Sequence, residues 1–199
     1  MGDTAPQPYR LPRRIGLAEA VRRCLRKFVT FSGRAPRAEF WKFQLALVLA
    51  QIALIVIETV TIGPTQLSAP GPDGQPIVVR TVYDSGLAGR VLMIASLLPI
   101  LAAGWRRLHD RDLRGWWLLA PAALQFTLIS GAALVLIGPQ ALWAALRQPG
   151  GASFNISGPV GATLVLIIFA AWITLIVALC RRGTPGANRF GPNPLEVTA

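Results

Sequence analysis

Apolar residues in this chain come in long blocks rather than in stripes. Phe43–Ile62, Leu87–Trp105, Trp116–Ile137 and Val160–Cys180 are almost free of charge, and each is about twenty residues long, the length a helix needs to cross the hydrocarbon layer. A helix of a soluble bundle would turn a continuous polar face to water, and none of these blocks has one, so the pattern predicts four membrane spans. The segment before the first block is patterned differently. Between Gly16 and Thr30, Leu17, Val21, Cys24, Leu25 and Phe28 share one helical face, while Glu19, Arg22, Arg23, Arg26 and Lys27 take the other. That predicts an amphipathic helix over 16–31, either lying in the membrane interface or packed beneath the bundle as a cap.

Composition agrees: 53% of residues are hydrophobic and only 15% charged, so the side of the membrane on which the charges fall becomes the informative quantity. Arg26, Lys27, Arg34, Arg37 and Lys42 precede the first span. Arg106, Arg107, Arg111 and Arg114 separate the second from the third, and Arg181, Arg182 and Arg189 follow the fourth. The other side has Arg80 and Arg147. This alternation places both termini in the cytoplasm. It also accounts for most of the formal charge of +11 as topology, with anionic lipid headgroups as the nearest partner. Nucleic acid is not expected, since no stacking aromatics interleave with a basic groove. The first apolar run starts only after 42 residues, far beyond a cleavable leader, so the first span is expected to stay as an anchor.

The fold class expected is therefore all-α: an integral membrane bundle of four transmembrane helices preceded by a cytoplasmic amphipathic helix. Residues 1–15 and 195–199 read as tails and 32–194 as one membrane domain. On the outer side, residues 64–84 are dense in Pro and Gly and then alternate Ile77, Val79, Thr81 and Tyr83, which suits a short hairpin. In the second outer loop PQALWAALRQ suits one interfacial helical turn, and Asn155-Ile156-Ser157 matches a glycosylation sequon.

Within the spans, Glu58 and Arg90 lie at similar depths near the outer face and are candidates for an intramembrane ion pair. Gln51 and Gln125, both near the middle, are candidates for a hydrogen bond across spans one and three. Pro99 and Pro121 are expected to kink their helices. Cys24 and Cys180 have neither the number nor the spacing for a disulfide framework or a metal site.

One cytoplasmic stretch concentrates reactive side chains. RRLHDRDLRGWW, residues 106–117, holds the single histidine of the chain, His109, next to Asp110. Neighbours on a helix point about 100 degrees apart, so the two do not face each other if the helix continues through them. No HExxH, GxSxG or P-loop accompanies them. Catalysis, metal binding and a cofactor are not expected. Two further motifs flank the spans: FSGRAPRAEFWKF at 31–43 and GTPGANRFGPNP at 183–194. The tail motif, denied a helix by its glycines and prolines, suits an ordered loop.

With these three motifs in this order around four spans, the chain resembles the bacterial inner-membrane proteins of the domain of unknown function (DUF) 805 family over most of residues 17–194. The resemblance implies a small integral membrane protein of the bacterial inner membrane whose activity is unassigned. Matching positions are Gly33, Arg34, Arg37, Phe40 and Trp41 in the first motif; Arg106, Arg107, Leu108, His109, Asp110, Gly115, Trp116 and Trp117 in the second; and Gly186, Asn188, Gly191, Pro192 and Pro194 in the third. The family commonly has a glycine and an arginine where this chain has Asp112 and Leu113, and an aspartate in place of Asn193.

The candidate site is a cytoplasmic rim of Arg34, Arg37, Arg106, Arg107, His109, Asp110, Trp116, Trp117 and Asn188, with Asp110 or Asp112 bridging arginines from other segments. The alternative is three separately solvated turns. Functionally, the pattern points to a non-enzymatic module whose basic rim engages anionic lipid or a protein partner. A small channel or carrier, alone or as a homo-oligomer, is the second reading.

Overall fold

The computed structural model describes residues 15–70, 76–147 and 158–195. The sequon and the apex of the outer hairpin lie outside these residues. Three helices are long and apolar enough to cross a membrane: α2 (Arg37–Thr61), α3 (Gly86–His109) and α5 (Gly158–Cys180). α4 (Ala120–Leu146) has a shorter apolar part, Ala120–Val135. Ahead of them, α1 (Leu17–Arg26) packs on α2 and α3 through Ala20 and Cys24. Ile15, assigned to the tail from sequence, is buried, and its carbonyl accepts a bond from Lys42 Nζ at 2.5 Å.

The helix ends depart from the apolar blocks in ways the backbone explains. α2 starts at Arg37 because Pro36 stands just before it in an extended conformation, where its missing N–H costs nothing. The segment holding Trp116 and Trp117 is a 3-10 turn, Gly115–Leu118, so α4 begins at Ala120. Pro121 thereby falls in the first turn of α4 and does not bend it. The break lies instead at Gly138, whose φ of 78° and ψ of 164° interrupt the helix before Pro139 restarts it, as a glycine beside a proline permits.

The short hairpin expected over 64–84 is an antiparallel pair of strands, β1 (Thr65–Pro70) and β2 (Pro76–Val82), with a bulge between Leu67 and Ser68. At that end Arg90 pairs with Asp84 (3.0 Å) and not with Glu58. Asp84 sits six residues before Arg90, within easy reach of its side chain. The Arg90 guanidinium, followed by the Ser85 N–H, holds the Asp84 carboxyl below its usual range. Glu58 packs its carboxylate against Gly86, where an added Cβ would meet Oε1 at 2.3 Å. The two glutamines also find other partners. Gln51 Nε2 donates to Ser85 Oγ (2.5 Å), and Gln125 Oε1 accepts from Trp172 Nε1 (3.2 Å).

Among the described residues, the buried apolar cluster lies at the other, arginine-rich end. Cys24, Phe40, Phe43, Ala103, Leu108, Leu175 and Leu179 form one buried cluster drawn from α1, α2, α3 and α5. Further along, α2 and α5 leave most of their Leu, Ile and Val side chains on the outside, as lipid-facing helices do. Gly115 marks the tightest approach at the charged end, since a Cβ there would stand 2.0 Å from the Trp105 indole.

Two outcomes follow. Gly115→Ala forces a rigid ring aside and should cost about 1–3 kcal/mol, read as a lower melting temperature in detergent, whereas Gly131→Ala, with nothing within 4 Å of the added Cβ, should not. Burial, aided by the Glu39 carboxylate, pushes the Cys24 thiol up to about 12. The thiol therefore stays protonated at any pH below that value and is a poor nucleophile. A maleimide at mildly alkaline pH should leave Cys24 unlabelled in the folded protein and label it after denaturation.

Candidate functional site

The charged end is closed by three arginines that point inward. Arg34, in the turn before α2, is buried and uses its whole fork. Nε donates to Asp110 Oδ1 (3.0 Å), Nη1 to the carbonyl of Gly186 (2.7 Å), and Nη2 to the carbonyl of Thr184 (2.6 Å). Arg107, fully buried on α3, donates Nη1 to Asp110 Oδ2 (2.5 Å), Nε to the Leu179 carbonyl (2.9 Å) and Nη2 to the Arg181 carbonyl. Arg106 donates Nη1 to the carbonyls of Lys27 and Thr30, both at 2.8 Å, and pairs Nη2 with Glu39 Oε1 at 3.2 Å.

These bonds complete the ends of helices. The last carbonyls of α5 have no partner within the helix. Arg107 takes that of Leu179 and Arg111 that of Ala178 (3.1 Å), placing cations at the negative end of the helix dipole. At the end of α3 the chain leaves through a Schellman motif: Leu113 N–H returns to Leu108 O and Asp112 N–H to His109 O, both at 3.0 Å. The residue in the left-handed region is Asp112, with φ 59°, and aspartate tolerates this region better than most side chains.

The tail is held by the same residues. Thr184 N–H donates to Asp110 O (2.8 Å), and Asn188 Nδ2 donates to His109 O (2.9 Å). His109 lies flat on Phe190, ring centres 3.8 Å apart at 5°, with Nδ1 3.2 Å from the Gly33 carbonyl and donating to it. Gly183 has no room for a side chain, because a Cβ would meet Asp110 Oδ2 at 2.1 Å. At the Asn193 position the amide serves as acceptor, taking Leu195 N–H at 3.1 Å.

Of the residues singled out from sequence, Arg34, Arg106, Arg107, His109, Asp110 and Asn188 are brought together. Arg37 is exposed at the start of α2, and Trp116 and Trp117 are exposed on the 3-10 turn, Trp116 edge-on to Trp105. The sequence reading placed the arginines on an outer contact surface. For Arg34, Arg106 and Arg107 this is corrected, because their guanidiniums face carbonyls and carboxylates of the chain itself and are closed off by the packed helices. Glu39, not among the residues singled out, is the buried counter-charge of Arg106. Being the one acidic residue in FSGRAPRAEFWKF, it had a signal. Thr184 and Phe190 had none beyond their place in a turn-forming loop. Among the described residues no three His, Cys, Asp or Glu side chains gather as a metal would need.

Spanning helices tied at one end by a buried polar network define a small polytopic helical membrane protein. Comparison with known proteins then gives the family: residues 28–192 match the one described as "Protein of unknown function (DUF805)", and the chain belongs to it. It is 28% identical over 170 residues to "Inner membrane protein YhaH" of Escherichia coli strain K12, covering 85% of this chain and 91% of that protein. Against "Inner membrane protein YhaI" of the same strain it is 26% identical over 170 residues, covering 85% and 90%. No solved structure matches. The resemblance drawn from the three motifs is thus shown, and with it the inner membrane as the setting of this family.

The two kinds of ion pair should separate in their effect on stability. Asp110→Asn keeps the shape and leaves two buried guanidiniums without a counter-charge, which should cost about 3–5 kcal/mol. Asp112→Asn removes the exposed pair with Arg189 (3.0 Å) and should cost at most about 1 kcal/mol. Arg34→Lys should approach the first, since a point charge cannot replace the fork. Melting curves in detergent check all three.

Proposed function

We propose that the protein is a non-enzymatic four-span module with both termini cytoplasmic, whose exposed basic fringe engages anionic lipid headgroups. The observation that carries this reading is the division of the cations into two sets. Arg34, Arg106 and Arg107 are consumed internally. Around them Arg22, Arg26 and Lys27 of the α1 region, Arg37, Arg114, and Arg181 with Arg182 remain exposed. Leu25, Phe28 and Val29 are exposed on the same region as the first three, the combination of apolar and cationic groups that suits the headgroup boundary.

The fourth span is supported by length. At about 1.5 Å per residue Ala120–Val135 covers roughly 24 Å, and the 3-10 turn adds about 8 Å at 2 Å per residue, together near the 30 Å of the hydrocarbon core. The orientation rests on the excess of Arg and Lys at one end. A channel or carrier has less support, because Gln51 and Gln125, the glutamines within the spans, are already engaged with Ser85 and Trp172.

Delipidated protein titrated with phosphatidylglycerol and with phosphatidylcholine, followed by native mass spectrometry, tests the reading. Phosphatidylglycerol should be retained preferentially, and neutralising Arg22, Arg26 and Arg37 to Gln should weaken retention about fivefold per charge with unchanged melting. Equal retention of the two lipids by the unmodified protein would refute it.

A further inference from the structure

Beside the charged end an open groove of about 450 Å3 runs between α4 and α5, within the range of about 300–1,000 Å3 usual for small-molecule sites. Ala120 and Pro121 line one wall and Ala171 and Ala178 the other, and Leu113 of the Schellman turn and Trp117 complete the lining toward the charged end. The groove runs about 10 Å along α5 from Ala171 to Ala178, a third of the hydrocarbon core. Its one hydroxyl, Thr174 Oγ1, is already bonded to the Ala170 carbonyl at 2.8 Å. Water entering here would find no partner, and hydrocarbon would lose none.

Charge bounds this apolar trough at one end only. Ala171, Thr174 and Ala178 follow the three-and-four spacing of one helix face, and directly after the end of α5 at Cys180 come Arg181 and Arg182, both exposed. Opposite, Arg111 reaches across to the Ala178 carbonyl, and the exposed Arg114 immediately precedes the 3-10 turn that holds Trp117. We propose that the groove binds one acyl chain of an anionic phospholipid whose phosphate lies among Arg111, Arg114, Arg181 and Arg182. Charge complementarity selects this occupant. A second copy of the chain in the same orientation would bring its own arginines to the same level and set like charges together, whereas a phosphate there meets guanidiniums suited to it.

The inference rests on the basic fringe as a headgroup surface and narrows it to one site. In the native mass spectrometry titration, the unmodified protein should keep one tightly held phosphatidylglycerol. Ala171→Phe, which fills the trough, should abolish that retention, and Arg182→Gln should weaken it about fivefold. Preference for phosphatidylglycerol that persists in a normally melting Ala171→Phe protein overturns the groove and leaves the fringe standing, while no preference in the unmodified protein removes both. A second measurement does not depend on how Ala171→Phe folds. Phosphatidylglycerol brominated on its acyl chains should quench tryptophan fluorescence more than brominated phosphatidylcholine, and that excess should fall in Trp117→Phe. An excess unchanged by Trp117→Phe also overturns the proposal.

Discussion

The union of the turn before α2, the end of α3 and the tail depends on one carboxylate shared by two guanidiniums. Asp110 gives one oxygen to Arg34, 76 residues before it in sequence, and the other to Arg107, one helical turn before it. Two cations and one anion leave a net positive charge in a place from which solvent is excluded. The excess is spread over backbone carbonyls: those of Thr184 and Gly186 for Arg34, those of Leu179 and Arg181 for Arg107. Such an arrangement holds only while every member is present, because each guanidinium has been removed from water.

The location of this network answers a difficulty peculiar to membranes. Between spans there is no hydrophobic drive, since lipid tails are as apolar as leucine. α2 and α5 accordingly leave most of their large side chains outward along their length. Strong polar bonds where the helices leave the hydrocarbon supply the missing cohesion, and the buried apolar cluster of α1, α2, α3 and α5 sits directly against them. Arginine suits the task better than lysine would, since one planar fork can join a carboxylate and two loops at once.

Much of the scaffold was legible from hydropathy, because a block of twenty apolar residues has few alternatives in water or lipid. The three motifs gave the family, and their turn-forming residues announced ordered loops. Less visible was direction. A cluster of arginines at a membrane boundary fixes topology whether the side chains point out to headgroups or in to carbonyls, and only packing tells Arg107 from Arg182. Depth counting failed for Glu58 and Arg90 because it compares levels along two helices and ignores what is adjacent in the chain, which for Arg90 is Asp84. Likewise Pro121 looked like a kink only while the helix was thought to begin at Trp116. A helix that starts at Ala120 takes the proline into its first turn, where it is at ease.

The reach of Arg34 has a bearing on how the molecule comes into being. Its acceptors lie 76, 150 and 152 residues downstream, so during synthesis this side chain emerges long before anything that can receive it. Until Asp110 follows, its charge has to remain with water or headgroups, and until residues 184–186 follow, two arms of its fork lack their carbonyls. Closure of the charged end thus reports that the chain has been read through, and a ribosome that stalls after α5 would release a protein with all its spans and an open door.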